Sequence, residues 1–544
     1  MNGSQAIAEI LKLEKVRQVF CFPYTPILEA LAEAGIRPIV ARQERVAENM
    51  ADGFSRTSCG EAFGVVTVQQ AAGAENAFAG IAHAYTDSSP ILFLPGHPGR
   101  ESVGIHPTFD SVRNYAATTK WADMIPSARS IPQRMRRAFT LLRSGRPGPV
   151  MLEIPVDVAA ESLEKPLDYS PPVRIRSEAD RDAVRDAVQL LREAQHPVIL
   201  AGQGVLYARG TAELTELAER LAAPVVTTML GKSGFNERHP LSLGTAAYAR
   251  TDMALRWLQQ CDLIFALGTS LSTGIFAPKI PAGKRFIHAT VDPRDIHKDQ
   301  VAEIALLGDA RLVLRQIGDE LVRQAGDRPS PRRQAAEKEI AAAKEAWRAR
   351  WRSKLASNEV PLNPYRVIGD FLKSIDPARA IVTHDSGNPR DQILPLYEST
   401  TPRGYIGWGH STQLGFSLGA AMGAKLAAPD KLVINFMGDA AFGMVGMDVE
   451  TAVREEIPIL TMLLNNSAMG NYEKNIPRAC ELFGTKQLSG NYSQVAQGLG
   501  AVSHRIEKPE EIIPAIQAGI AANREGKPAV LEFITREEPD MAIG

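Results

Sequence analysis

Leu432-Val433-Ile434-Asn435-Phe436-Met437-Gly438-Asp439-Ala440 and, one helix later, Ile459-Leu460-Thr461-Met462-Leu463-Leu464-Asn465-Asn466 are the stretches that decide the fold. Each is a short, nearly continuous apolar run that ends in small or polar residues, the pattern of a strand buried on both faces. Between them Val445, Val449, Ala452 and Val453 recur at helical spacing. A strand, a helix and a second strand in this order make a βαβ unit with parallel strands. Asp439 and Asn466 then both stand at carboxyl ends of strands, where open α/β sheets take their ligands. The residue types fit a hard cation: a carboxylate, an amide oxygen and a backbone carbonyl supply three of the six positions of a small divalent ion, leaving phosphate oxygens and water for the rest. Gly438 and the small Ala440 let the backbone approach a phosphate, and helix-start N–H groups near Ala441 to Gly443 are expected to donate to it.

The same alternation runs outward through the chain. Apolar runs at 36–41, 63–68 and 91–94 enclose helical patterns, as do those at 197–200, 225–227 and 263–267. The fold class is therefore α/β, with three doubly wound, mainly parallel-sheet domains expected at 1–165, 180–325 and 359–544. Residues 326–358 are charged and Ala-rich behind Pro329 and Pro331, the signature of a linker followed by a solvated helix. Residues 1–19 read as helical and carry Glu9, Lys12, Glu14 and Lys15, unlike a secretory signal. With 544 residues, 44% of them apolar, the chain can fill several cores. Its 61 Lys and Arg balance 62 Asp and Glu, so no global field favours nucleic acid or a membrane surface, and a small-molecule ligand is expected. Four scattered cysteines without a CxxC pair, and no apolar run of spanning length, point to a cytoplasmic protein.

Taken together, Gly438-Asp439-Ala440, the intervening helix and strand, and Asn465-Asn466 resemble the motif of thiamin-diphosphate enzymes, with Ala in the third place as in the Gly-Asp-Ala of acetolactate synthases. The resemblance implies that Asp439 and Asn466 hold Mg²⁺ through their side chains, with the carbonyl of Ala468 as third protein ligand. It places Gly438, Ala440, Ala441, Met469 and Gly470 around the cofactor. It also requires a Glu that follows a strand and opens a helix in another domain, and Glu44 in Arg42-Gln43-Glu44-Arg45 fits. Glu44 would share a proton with ring nitrogen N1′ of the aminopyrimidine from a poorly solvated site. The stretch from Glu44 to Arg56 resembles the family's helix of the form Glu, small residues, Ala-x-Gly-Tyr-Ala-Arg. Gly73-Ala74-Glu75-Asn76 resembles its Gly-Ala-Thr-Asn segment, which brings Gly73 and Asn76 to the cofactor. Gln413-Leu414-Gly415-Phe416 matches the place of the apolar wedge that bends the cofactor, here Leu414. The resemblance covers nearly the whole chain, as in acetolactate synthases, benzoylformate decarboxylases and pyruvate oxidases. It implies pyrimidine-binding, middle and diphosphate-binding domains, a homodimer as the smallest active unit and a homotetramer as the common assembly.

The implied reaction decarboxylates a 2-oxo acid and passes the acyl carbanion to an aldehyde or ketone acceptor, as in acetolactate synthases. Alternatives are an aldehyde-forming 2-oxo acid decarboxylase or a 2-hydroxy ketone lyase resembling benzoylformate decarboxylase or benzaldehyde lyase. A noncatalytic nucleotide-binding regulatory relative is a third, against which intact Glu44, Asp439 and Asn466 speak. The expected substrate pocket departs from the relatives. Tyr24 and Thr25 lie in Phe22-Pro23-Tyr24-Thr25-Pro26, which replaces a Gly-containing loop, and Gln69 and Gln70 stand where acetolactate synthases show Thr-Ser and benzoylformate decarboxylases His-Ser. A glutamine amide can hydrogen-bond a carboxylate or carbonyl but cannot shuttle protons at neutral pH. His97, His106 and Tyr472 complete the candidate pocket. In the middle domain Ala201-Gly202-Gln203-Gly204 and Thr290-Val291-Asp292-Pro293 fall where relatives bind FAD or an adenine nucleotide, without the Arg-rich stretch of flavin-binding acetolactate synthases.

Overall fold

The computed structural model describes residues 1–544 apart from Tyr24, Lys165, 327–329, Asn471 and Gly544. The apolar runs form three sheets, and among the described residues each has six strands paired only in parallel. The first sheet holds β1 (Gln18–Cys21), β2 (Arg37–Val40), β3 (Gly64–Val68), β4 (Ile91–His97), β5 (Trp121–Met124) and β6 (Val150–Pro155), ordered β2-β1-β3-β4-β6-β5. The second holds β7 (Pro197–Ala201), β8 (Val225–Thr227), β9 (Ser242–Thr245), β10 (Leu263–Leu267), β11 (Arg285–Thr290) and β12 (Ile304–Leu307), ordered β12-β11-β10-β7-β8-β9. The third holds β13 (Ala380–His384), β14 (Tyr405–Ile406), β15 (Leu432–Gly438), β16 (Ile459–Asn465), β17 (Val502–Ile506) and β18 (Ala529–Ile534), ordered β14-β13-β15-β16-β18-β17.

In each sheet strand order reverses near the centre, between β1 and β3, between β7 and β10, and between β13 and β15, and the first and third sheets turn back again at the edge pairs β6-β5 and β18-β17. At such a reversal neighbouring connections leave the sheet toward opposite faces and open a crevice at the strands' carboxyl ends. In the third sheet Gly438 pairs with Leu464, so Asp439 and Asn465 leave their strands at the same level.

Five helices shape the domain contacts and the clefts: α1 (Glu44–Thr57), α2 (Ala72–Thr86), α3 (Arg333–Leu355), α4 (Phe416–Ala427) and α5 (Asp439–Val445). Helix α1 of the first domain packs along α4 of the third through glycines. A Cβ on Gly53 would lie 2.2 Å from the carbonyl oxygen of Ala420, and one on Gly423 1.9 Å from that of Met50. The contact is backbone on backbone, closed by a buried charge cluster. Arg56 pairs with Asp52 and Asp87 and donates through Nη1 to the Gly407 carbonyl at 2.7 Å, while Asp87 accepts from the N–H groups of Gly409 at 2.8 Å and His410 at 2.9 Å. Gln203 Nε2 of the middle domain donates to the Asp87 carbonyl at 2.8 Å. All three domains thus meet at one residue.

Three expectations change. The first helix ends at Leu13 rather than running to residue 19, because Lys15 takes a left-handed turn (φ 63°) and the chain enters β1. Helix α3 is not a fully solvated rod: Ile340, Trp347 and Trp351, at intervals that share one helical face, are buried. Helix α5 starts at Asp439, two residues before the expected N–H donors, because Gly438 is extended and caps it.

A methyl group at the α1–α4 crossing has nowhere to go. Gly423→Ala should destabilise the protein by about 2 kcal/mol or more in chemical denaturation, whereas Gly443→Ala, which meets nothing within 4 Å, should leave the midpoint within about 0.5 kcal/mol of wild type.

Candidate active site

The crevice between β13 and β15 is a cleft lined by Ser386, Gly387 and Asn388 after β13, by Gly438, Asp439, Ala440 and Ala441 after β15, and by Asn466, Ala468, Met469 and Gly470 after β16, with Leu414 and Tyr472 also on its wall. Asp439 is buried. Its Oδ1 accepts the N–H of Ala440 at 3.0 Å, while its Oδ2 is buried with no hydrogen-bond partner among the described residues. Burial pushes its carboxyl up to about 6. An unpaired carboxylate oxygen in a polar cleft is costly by itself and is what a cation relieves.

The two asparagines divide the work. Asn465 is buried and holds the loop, donating to Glu532 Oε1 at 2.7 Å and accepting from Ser467 N–H at 2.9 Å. Asn466 is half-buried on the cleft wall, its Oδ1 accepting from Ala468 N–H at 3.1 Å. The loop after them is fixed as a ribbon by Leu488 N–H to the Ser467 carbonyl at 2.8 Å and Met469 N–H to the Lys486 carbonyl at 2.7 Å. Gly470 lies against Asn388, where a Cβ would fall 2.6 Å from Nδ2. Cleft residues Gly387 and Asn388 escaped the sequence reading; the strand-end signal His384-Asp385-Ser386-Gly387 could have found them. Leu414 is half-buried on the segment that Asp87 holds at Gly409 and His410. On its other side Asp385 accepts from Gly415 N–H at 2.9 Å, Ser417 N–H at 3.0 Å and Ser417 Oγ at 2.6 Å.

The first domain presents its own crevice, and the remaining expected residues gather around its carboxyl ends. Glu44, 7% exposed, opens α1, and its Oε2 accepts from Asn76 Nδ2 of α2 at 3.4 Å. Gly73 is buried in the first turn of α2. Gln69 and Gln70 follow β3 and are half-buried, and the Gln70 amide oxygen is buried with no partner among the described residues. Thr25, after β1, likewise has a buried, unpartnered hydroxyl. His97 ends β4; burial lowers its proton affinity, and its Nδ1 accepts from Gly99 N–H at 3.2 Å, so it is a neutral imidazole. His106 is exposed in the following loop. Tyr24 lies outside the described residues. Within one chain no first-domain residue lines the Asp439 cleft among the described residues. The two crevices approach at one edge, where Arg42 N–H donates to Asp448 Oδ1 at 2.8 Å and Gln43 Nε2 to the Met444 carbonyl at 3.1 Å.

The middle-domain crevice is a third cleft, lined by Arg146, Gln203, Ser270, Thr290, Asp295 and Asp309. Its glycines serve the fold: a Cβ on Gly202 would lie 2.3 Å from the Gly268 carbonyl oxygen, so they let the turns after β7 and β10 cross.

Comparison with known proteins accounts for all three domains. Residues 1–117 match the thiamine pyrophosphate enzyme N-terminal TPP binding domain, 184–317 the central domain and 385–533 the C-terminal TPP binding domain. The chain belongs to the thiamine pyrophosphate enzyme family. It is 30% identical to the probable acetolactate synthase large subunit of Methanocaldococcus jannaschii over 98% of this chain and 92% of that one. It is 30% identical to the acetolactate synthase isozyme 3 large subunit of Escherichia coli, covering 94% and 91%. It is 28% identical to the sulfoacetaldehyde acetyltransferase of Alcaligenes xylosoxydans, covering 99% and 94%.

In this family member the turn that carries Gln69 and Gln70 stores strain: Ala71 sits at φ 52°, ψ −99°, a conformation that favours glycine. Ala71→Gly should therefore raise stability by about 1 kcal/mol in equilibrium unfolding, the relief of strain outweighing the added unfolded-chain entropy.

Proposed function

We propose that the protein is a thiamin-diphosphate carboligase that decarboxylates a 2-oxo acid and transfers the acyl carbanion to an aldehyde or ketone. The observation that carries this is the unpaired Asp439 oxygen in a cleft whose wall also carries Asn466 and Ala468, at the switch point of the third sheet. The donor set fits Mg²⁺: Asp439 and Asn466 through their side chains and Ala468 through its carbonyl would hold it, a carboxylate and two neutral oxygens leaving positions for diphosphate oxygens. Gly438, Ala440, Ala441, Met469 and Gly470 form the wall against which the diphosphate lies. Leu414, clamped from both sides, supplies an apolar prop beneath the rings. When bound, thiamin diphosphate supplies a nucleophilic carbon and an electron sink for the acyl unit. Glu44 holds or gives up the proton exchanged with N1′ of the aminopyrimidine, in a site where burial and Asn76 fix its position.

Transfer rather than release of an aldehyde is supported by the groups around the first crevice. Thr25, Gln69 and Gln70 hydrogen-bond without titrating near neutrality, and neutral His97 is held below its usual range by burial. The relatives named as acetolactate synthases and an acetyltransferase support the same assignment. A homodimer as the working unit is supported by the Asp439 cleft, which among the described residues no first-domain residue lines. It is supported too by Phe78, Tyr85, Met444 and Met447, large apolar side chains exposed on α2 and around the end of α5. The middle cleft, lined by the turns after β7 and β10, would take FAD or an adenine nucleotide.

Glu44→Gln should slow exchange of the cofactor's C2 proton by about 100-fold or more while keeping the rise in melting temperature caused by thiamin diphosphate and Mg²⁺. Asp439→Ala should abolish that rise. Supplied with pyruvate and an added aldehyde, the wild type should give the ligated hydroxy ketone in excess over acetaldehyde. Wild-type exchange in Glu44→Gln would contradict the assignment.

A further inference from the structure

One turn behind Glu44 on α1 stands a second acid, Glu48, where the resembling helix has small residues. It is fully buried, and neither of its carboxylate oxygens meets a hydrogen-bond partner among the described residues. Its place is made by a missing side chain on α2: a Cβ on Gly80 would lie 2.1 Å from Glu48 Oε2. The helices thus face each other in two rungs, Glu44 opposite Asn76 and, four residues on in both, Glu48 opposite Gly80.

An ionised carboxylate without partners is not tolerated in such a place, so the side chain keeps its proton. Burial first, and the Glu44 charge second, hold it well above the usual carboxylate range. Titratable groups on the elements packed against α1 are Cys21 of β1, Glu75, His83 and Tyr85 of α2, His97 of β4, Tyr405 of β14 and Lys425 of α4, with Arg45, Asp52 and Arg56 on α1 itself. Asp52 is paired with Arg56, and His83 lies between Asp52 and Asp87. Burial first, and Glu48 second, raise Tyr115, whose hydroxyl donates to the Ala74 carbonyl at 2.5 Å. No cation is thereby assigned to Glu48.

We propose that Glu48 is the proton-holding partner of Glu44, the two carboxyls carrying one negative charge between them so that the Glu48 proton keeps Glu44 free to ionise. The inference rests on Glu44 being the proton partner of N1′ and makes Glu48 a positioning residue for charge. While Glu48 is neutral, Glu44 becomes an anion as its proton passes to N1′ and becomes neutral as the proton returns; no proton leaves Glu48. When Glu48 loses its proton at high pH, a second negative charge stands one turn from Glu44. Like charges at this spacing oppose each other, and Glu44 then retains its proton.

The test uses Glu48→Gln, a neutral side chain of the same shape. In the unloaded protein at neutral pH, the infrared difference between wild type and Glu48→Gln should show a carboxylic-acid C=O band present only in the wild type. Because the folded protein favours protonated Glu48, wild-type stability is full below the ordinary carboxylate range and falls as pH rises above it; Glu48→Gln should lose that slope. In the enzyme loaded with thiamin diphosphate and Mg²⁺, the alkaline break in the pH profile of C2 exchange should vanish or move by about one unit or more in Glu48→Gln. Slow exchange in Glu44→Gln combined with a Glu48→Gln profile superimposable on wild type overturns this inference alone. Absence of the infrared band also overturns it, and wild-type exchange in Glu44→Gln overturns the role of Glu44 on which it rests. A purely structural Glu48 would change stability and leave the exchange profile untouched.

Discussion

A carboxylate oxygen taken out of water and given no partner is the constraint on which the site depends. The unpaired Asp439 oxygen stands where β15 and β16 end within one residue of each other at a reversal of strand order, on a cleft wall that also carries Asn466 and Ala468. The proposed cation would turn this unsatisfied oxygen into an anchor. The loops around that point are held by the Asn465–Glu532 contact, by the ribbon through Met469 and Lys486, and by Gly470 against Asn388.

The same economy holds the domains together. Asp87 is buried where it accepts from the third domain's backbone, pairs with Arg56 and is reached by the middle domain's Gln203. Glycine-lined helices α1 and α4 close the contact without side chains between them. Leu414 sits four residues beyond the end of this junction, so its position is set by packing between domains as much as by the third domain itself.

Burial decides how much of the fold could be read from sequence. Central strands such as β15, β16 and β10 are buried on both faces and announce themselves as apolar runs. Edge strands β5 and β17 alternate or are half-polar, and β18 hides behind Glu532, an acid that belongs to the Asn465 loop. Asp439, Asn466 and Glu44 were legible because a strand precedes each. Asn388 was missed although His384-Asp385-Ser386-Gly387 marks the end of β13, because Asp385 is spent on the Gly415 and Ser417 N–H groups and the turn carries no family motif. Glu48 was invisible for a different reason: only the structure shows that α2 leaves Gly80 opposite it, and a Glu in a helix is otherwise an ordinary surface residue. Likewise Trp347 and Trp351 of α3 disappear in a segment whose composition is that of a solvated helix.

The measurement closest to the central claim is anomalous diffraction from crystals grown with thiamin diphosphate and Mn²⁺ in place of Mg²⁺. The account requires a single metal peak in the cleft, bounded by a carboxylate oxygen of Asp439, the amide oxygen of Asn466 and the carbonyl oxygen of Ala468. Bound cofactor with the metal elsewhere, or with no metal between those oxygens, would contradict it.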